Sequence, residues 1–373
     1  MVIKNLKIVL EDRIIEKGFL VFGNGLIKEI GEGDYAGEAK DAKGLIAMPG
    51  FIDIHIHGSA GIDFMDAKEE DYKVIAESLY KEGVTTFLAT TLTSDRESLL
   101  RVARTIKNVK DSIPSLGGVH LEGPYISPKY KGAQNEEFIR NPNKEELKEL
   151  QKVSGGNIKY ITLAPEKEGA LEFISFAKEI GVTCSAGHSD ASFNQVKLAI
   201  EKGLTNTTHT HNAMSPHHHR NPGVVTAAFY FDSLFTEFIC DKIHVCPDTL
   251  LASYKIIGPE RFIVITDALK IKNSNIDKFQ LFGLDCERKN GAAYLTSGPL
   301  AGSLLTMDQG LRNMKEITNA SLIALAKITS RNAAKAMHFV DRGSIKVGKL
   351  ADIVLLDENL TLKETYKLGK RVF

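Results

Sequence analysis

Apolar residues fall along this chain in short dense runs, separated by longer stretches where they recur every three or four positions. Dense runs read as buried strands, and the spaced stretches read as amphipathic helices. Buried strands are predicted at 51–57, 85–91, 116–121, 158–164, 182–186, 205–209, 235–240 and 262–266. Helical periodicity lies between most of them, for example over 69–81, 96–109, 144–153, 171–180 and 193–202. Such an alternation predicts parallel βαβ units, and eight of them predict an α/β fold of the (β/α)8 TIM-barrel type. An open doubly wound sheet is the alternative, but no GxGxxG follows the early strands.

Both ends of the chain break this rhythm. Residues 7–10, 18–22 and 26–30 are short β-like runs, the last two joined by a Gly23-Asn24-Gly25 turn. A similar pattern returns over 343–357. Neither end carries enough apolar area for a core of its own. Residues 1–48 and 341–373 are therefore expected to combine into one small β-sandwich domain beside a barrel of 49–340.

Composition narrows the function classes. The 373 residues are 43% hydrophobic and 25% charged, with a formal net charge of zero. That argues against a general nucleic-acid or membrane-surface binder, and any anion site must be local. The N-terminus lacks an apolar leader core, and no apolar run approaches membrane-spanning length. Four cysteines, Cys184, Cys240, Cys246 and Cys286, form no CxxC pair and fit a reducing compartment. The cytoplasm is the expected location.

Candidate chemistry collects at predicted strand ends. In Pro49-Gly50-Phe51-Ile52-Asp53-Ile54-His55-Ile56-His57-Gly58, side chains two apart project to one side, so His55 and His57 point together. Strand three ends in Glu122, strand five leads to His188, strand six to His209 and strand eight to Asp267. Barrel active sites are built at this end. Each residue alone has an ordinary structural reading, such as a histidine bonded to backbone or an aspartate capping a helix. Five of eight strand ends carrying His, Glu or Asp favour a common site. Imidazole and carboxylate donors without thiolate suit one or two divalent ions, with zinc first and iron, manganese or cobalt compatible. Glu122 is placed to bridge two ions. The adjacent His217, His218 and His219 diverge and read as a polar loop; His120 shares Glu122's face but is not assigned as a ligand.

The stretches PGFIDIHIHG, GVHLEGPYISPKYKGA, TLAPE, AGHSDAS, THTHNAMSP, RNPG, TDA, GPLAGSLLTMDQGLRN and GKLADIVLLD span nearly the whole chain. In that order they resemble the N-acetylglucosamine-6-phosphate deacetylase family of the amidohydrolase superfamily. The resemblance implies Glu122, His188 and His209 as ligands of one metal, and His55, His57, Glu122 and Asp267 as ligands of a second. It implies Asp267 as the catalytic acid/base. It further implies Ala133, Asn212, Ala213, Arg220, His244, Leu300, Ala301 and Gly302 as substrate-binding residues, with Arg220 pairing with the phosphate. The implied substrate is a phosphorylated N-acetyl amino sugar. The implied assembly is a homodimer whose partner can contribute to the pocket.

Two positions depart from the family pattern, which usually has an aromatic residue at His211 and a histidine at Gln134. His211 is read as lying behind the ligands rather than among them, and Gln134 bears on substrate preference. The competing substrate is the N-acetylgalactosamine epimer, and a cyclic amide is a further enzyme reading. A non-catalytic scaffold is the reading from a different class, and the complete ligand set argues against it.

Overall fold

The computed structural model describes residues 1–281 and 283–373. Its central sheet has eight parallel strands in chain order: β1 (Phe51–Ile56), β2 (Val84–Thr91), β3 (Leu116–Glu122), β4 (Ile158–Leu163), β5 (Thr183–Ala186), β6 (Leu204–Thr207), β7 (Phe235–Ile239) and β8 (Phe262–Ile265). β1, β2, β3, β5 and β8 are buried at every position. Strands covered on both faces need no alternation, which is why these runs are so apolar.

Each strand leads to a helix: α1 (Asp71–Tyr80), α2 (Arg96–Val109), α3 (Lys144–Val153), α4 (Ala170–Glu179), α5 (Phe193–Lys202), α6 (Val224–Tyr230), α7 (Pro247–Ile257) and α8 (Met307–Thr318). α2 turns Leu99, Leu100, Val102, Ala103, Ile106 and Val109 onto the barrel, and the Asp95 carboxylate caps its first turn by accepting from the Ser98 amide. In α5, Ser192 and Gln195 form a reciprocal capping box.

The barrel closes where β8 meets β1, and the closing bonds lie at the site end. The Asp267 amide donates to the His55 carbonyl at 2.8 Å, and the His57 amide to the Ala268 carbonyl at 2.9 Å. The seam therefore sets Asp267 beside both histidines. Between β8 and α8 the chain inserts a four-stranded antiparallel sheet, Lys278–Leu281, Leu284–Lys289, Ala292–Leu295 and Leu300–Ser303, which the hydrophobic pattern does not predict. Its last strand returns to the barrel mouth, where the Ser303 amide donates to the Asp267 carbonyl at 3.0 Å.

A second sheet draws on both chain ends. It runs, edge to edge, through Lys370–Arg371, Leu362–Lys367, Ile353–Leu356, Ile46–Pro49, Val2–Val9, Ile14–Gly23 and Leu26–Glu32, with Lys40–Asp41 also paired to Val2–Val9. Its apolar core is separate from the barrel's, with Ile3, Leu6, Ile8 and Leu20 against Ile353, Leu355 and Tyr366. The Lys367 ammonium meets the Asp352 carboxylate at 2.7 Å, with both side chains buried. Among the described residues no helix is long and apolar enough to cross a membrane.

Candidate metal centre and active site

At the mouth of the barrel the side chains form two groups of three. Glu122, His188 and His209 are one; His55, His57 and Asp267 are the other. Within each group the nearest donor atoms lie within 4.8 Å of one another. Glu122 joins the two. Its Oε1 is 3.1 Å from His188 Nε2, 3.0 Å from His209 Nε2 and 3.3 Å from His55 Nε2, while its Oε2 is 3.3 Å from His57 Nε2. Asp267 Oδ1 lies 3.1 Å from His57 Nε2 and 3.4 Å from His55 Nε2.

Local backbone geometry aims these groups. Glu122 ends β3, and Gly123 follows with φ of 79°, where a Cβ would collide with Thr93 Oγ1. His188, His209 and Asp267 all lie just past their strands with positive φ. That swing carries each side chain from the strand direction toward the barrel axis. The turn after His188 is held by Glu166, which accepts from Ser189 Oγ at 2.7 Å and the Asp190 amide at 2.6 Å.

The donor set fits a divalent ion. His188 Nδ1 donates to the Tyr130 carbonyl at 2.8 Å, which leaves Nε2 as the ring nitrogen that faces the cluster. His55 Nε2 is buried without a hydrogen-bond partner. His188 Nε2 and His209 Nε2 lie 3.1 Å apart, both facing one carboxylate oxygen. A shared cation satisfies that crowding of acceptors better than a proton between each pair. Among the described residues no cysteine joins either group.

Charges among these side chains reinforce one another. Burial raises the Glu122 carboxyl, but His55, His188 and His209 outweigh it and hold the group well below its usual range. Asp267 is likewise raised by burial and brought down further by His55 and His57. Burial disfavours protonated His57, yet Asp267 and Glu122 push it up to about 9. His55 is also raised well above its ordinary value against burial, by Asp267 and Glu122.

The site opens into a cavity of about 340 Å³. Ala133, Asn212, Ala213, His244, Leu300, Ala301 and Gly302 all line it, as do His57, Glu122, His188, His209 and Asp267. His244 is oriented by Asp241, whose Oδ2 lies 2.6 Å from Nδ1. Arg220 is the exception. It is exposed, lies against His219, and lines the next cleft with Lys129, Tyr130 and His218. Lys129 and Tyr130 border both spaces.

The remaining histidines separate cleanly. His120 lies deeper in the barrel, 2.8 Å from Thr162 Oγ1, and burial with the nearby His55 holds it well below its ordinary value. His211 Nε2 bonds Ser253 Oγ at 2.9 Å and its ring packs on Phe229 and Phe238. His217 faces Thr226, His218 accepts from the Arg220 and Asn221 amides, and His219 meets Arg220. Gln134 has both ends of its amide engaged: Nε2 donates to Glu122 Oε2 at 2.6 Å, and Oε1 accepts from the Thr93 amide at 2.8 Å. It holds the Glu122 carboxylate in place. Sequence reasoning missed Glu237, buried beneath the ligands; its signal was a lone carboxylate inside the apolar run Phe235–Ile239.

Comparison with known proteins places this architecture. The model of the amidohydrolase family matches residues 46–372. The N-acetylglucosamine-6-phosphate deacetylase of Lysinibacillus sphaericus is 38% identical, covering 99% of this chain and 97% of that protein. The crystal structure of N-acetylglucosamine-6-phosphate deacetylase from Thermotoga maritima is similar with a TM-score of 0.92 and 34% identity, covering 100% of this chain and 99% of that one. A mutant of the Mycobacterium smegmatis enzyme in complex with N-acetyl-D-glucosamine-6-phosphate is similar with a TM-score of 0.95 and 28% identity, covering 100% and 99%.

Proposed function

This chain belongs to the amidohydrolase family, and on that footing we propose that it hydrolyses N-acetyl-D-glucosamine 6-phosphate to D-glucosamine 6-phosphate and acetate. The observation that carries this reading is the meeting of two three-donor groups, joined by Glu122, at a cavity that Asp267 also lines. What a divalent ion supplies when bound is a lowered pKa for a water molecule and a polarised amide carbonyl. Zinc is the first candidate, and iron, manganese and cobalt suit the same donors.

Asp267 performs the proton transfers. Its low-lying carboxyl is ionised at neutral pH, so it can take the proton of the attacking water as the oxygen bonds to the acetyl carbon. The same proton then passes to the sugar nitrogen as the C–N bond breaks, and acetate departs. Ala133, His244 and the Leu300–Gly302 segment would enclose the sugar, while Asn212 and Ala213 would face its phosphate. Arg220, exposed and outside its own cavity, is assigned to the phosphate across a homodimer, from a second copy. Its planar guanidinium suits a phosphate dianion. Three buried thiols and no disulfide among the described residues support a cytoplasmic enzyme.

The experiment is a comparison of kcat/KM for acetate release from three sugars. The phosphorylated glucosamine derivative should be the best substrate, exceeding the unphosphorylated sugar by about 100-fold or more, the loss of one charge-assisted phosphate contact. Preference for the galactosamine epimer would move the assignment by one hydroxyl, and no release from any of the three would remove the reading.

A further inference from the structure

Beneath the ligands, near the middle of β7, the Glu237 side chain is completely buried. A glutamate there with no lysine or arginine partner among the described residues needs some other reason to be tolerated. Its partners supply one. Oε1 accepts from the Tyr160 hydroxyl at 2.6 Å. Oε2 lies 3.3 Å from His55 Nδ1 and also accepts from the His209 backbone amide at 3.3 Å. One carboxylate oxygen therefore touches one residue from each three-donor group.

A carboxylate in this contact can only accept, so the hydrogen of the bond belongs to His55 Nδ1. With a divalent ion in place of the second ring proton, Nε2, the atom buried without a partner, would offer its lone pair between Glu122 and Asp267. The contact with His209 is to the backbone. It falls where φ is 31°, a conformation that surrounding bonds must hold. The Glu237 carbonyl adds to this by accepting from the Thr210 amide at 2.8 Å.

We propose that Glu237 is a positioning residue that fixes the His55 tautomer and the His209 backbone together, so that both ion sites form as one unit. The inference rests on the divalent-metal reading above. Tyr160 belongs to the same device, since its hydroxyl occupies Oε1 and leaves Oε2 to face the ligands.

The test is a zinc titration against a chromophoric chelator, with cobalt(II) absorption reporting ligand geometry. It compares the wild-type protein with Glu237→Leu and Glu237→Gln. Glu237→Leu should weaken the ion held by His55 by about 10- to 100-fold, the usual effect of losing an outer partner of a ligand histidine, and alter the cobalt spectrum. Glu237→Gln, whose amide oxygen still accepts from Nδ1, should recover part of that loss. Folded variants that bind both equivalents with wild-type affinity and spectrum would overturn the proposal. So would Leu and Gln variants impaired alike, because only volume would then matter. If the Leu variant does not fold, imidazole 15N NMR of the zinc-loaded wild type decides: His55 protonated at Nδ1 supports the proposal, and protonation at Nε2 overturns it. Wild-type protein that takes up no ion at all would overturn the metal reading itself, and this inference with it.

Discussion

His188, His209 and Asp267 hold φ angles of 47°, 31° and 47°. Residues with side chains adopt this region at a cost of roughly 1–3 kcal/mol each, which the surrounding bonds must offset. What the strain achieves is convergence: the donors after β5 and β6 turn inward to meet Glu122, and the one after β8 to meet His55 and His57. In the proposed mechanism Asp267 is the residue on which turnover depends most. Asp267→Asn keeps the shape but removes the proton acceptor, so kcat should fall about 10²- to 10⁴-fold. Steady-state acetate release checks this, and a near-normal rate would take Asp267 out of the proton transfers. His57 gives a pH dependence with a definite sign. Its folded value is raised from 6.5 to about 9 in the metal-free protein. The stabilisation from its charged form is thus complete below pH 6.5 and is lost as pH rises through 9. A bound ion must displace that proton, so metal affinity climbs across the same window. The increase in melting temperature on adding zinc should therefore be larger at pH 9 than at pH 6.5, as differential scanning fluorimetry would read. The candidate donors are legible in the sequence because residue type and a period of two suffice for His55 and His57. The positive φ angles are not, since they arise from tertiary closure. Arg220 marks the limit: its type announces an anion partner, but its distance from its own cavity is a property of the folded chain.

Elements, rather than single residues, deliver the site to one place. The seam between β8 and β1 is bonded at Asp267–His55 and His57–Ala268, so barrel closure and assembly of the second donor group are one event. The Ser303 side chain extends this link by donating to the Thr266 carbonyl. At the tip of β3 the chain must turn sharply to aim Glu122, and Gly123 makes the turn possible. Gly123→Ala introduces a Cβ against Thr93 at a positive φ, and should destabilise the fold by about 1–3 kcal/mol. Urea unfolding measures this; an unchanged midpoint would mean that the turn tolerates a side chain. The strand-and-helix rhythm is readable because each buried strand is a dense apolar run and α2, α3 and α5 begin at clear capping residues. Two elements escape that reading. Ile46–Pro49 runs straight into β1 in sequence, so nothing polar marks the change of sheet. The inserted sheet of 278–303 is built from short strands with few fully buried positions, too weak a pattern to separate from loop.

At the scale of the whole molecule, a chain with no net charge concentrates its polarity inward. The cavity combines two carboxylates, four imidazoles and an aliphatic wall, and the remaining surface balances its charges. The sheet built from both chain ends lies apart from the chemistry, with its own core. That the ends belong together is legible because neither alone has sufficient apolar area. How they pair requires the structure, since Ile46–Pro49 must join the N-terminal strands in parallel and Ile353–Leu356 antiparallel. The central claim is that this inward set of donors makes the chain a metal-dependent deacetylase of an amino-sugar phosphate. It is tested most directly by acetate release from N-acetyl-D-glucosamine 6-phosphate, with the protein stripped by a chelator and then resupplied with zinc, iron, manganese or cobalt. Loss of release on stripping and its return with at least one of these ions is the expected result. Release that survives complete removal of metal, or that no ion restores in a protein still folded, would contradict the account.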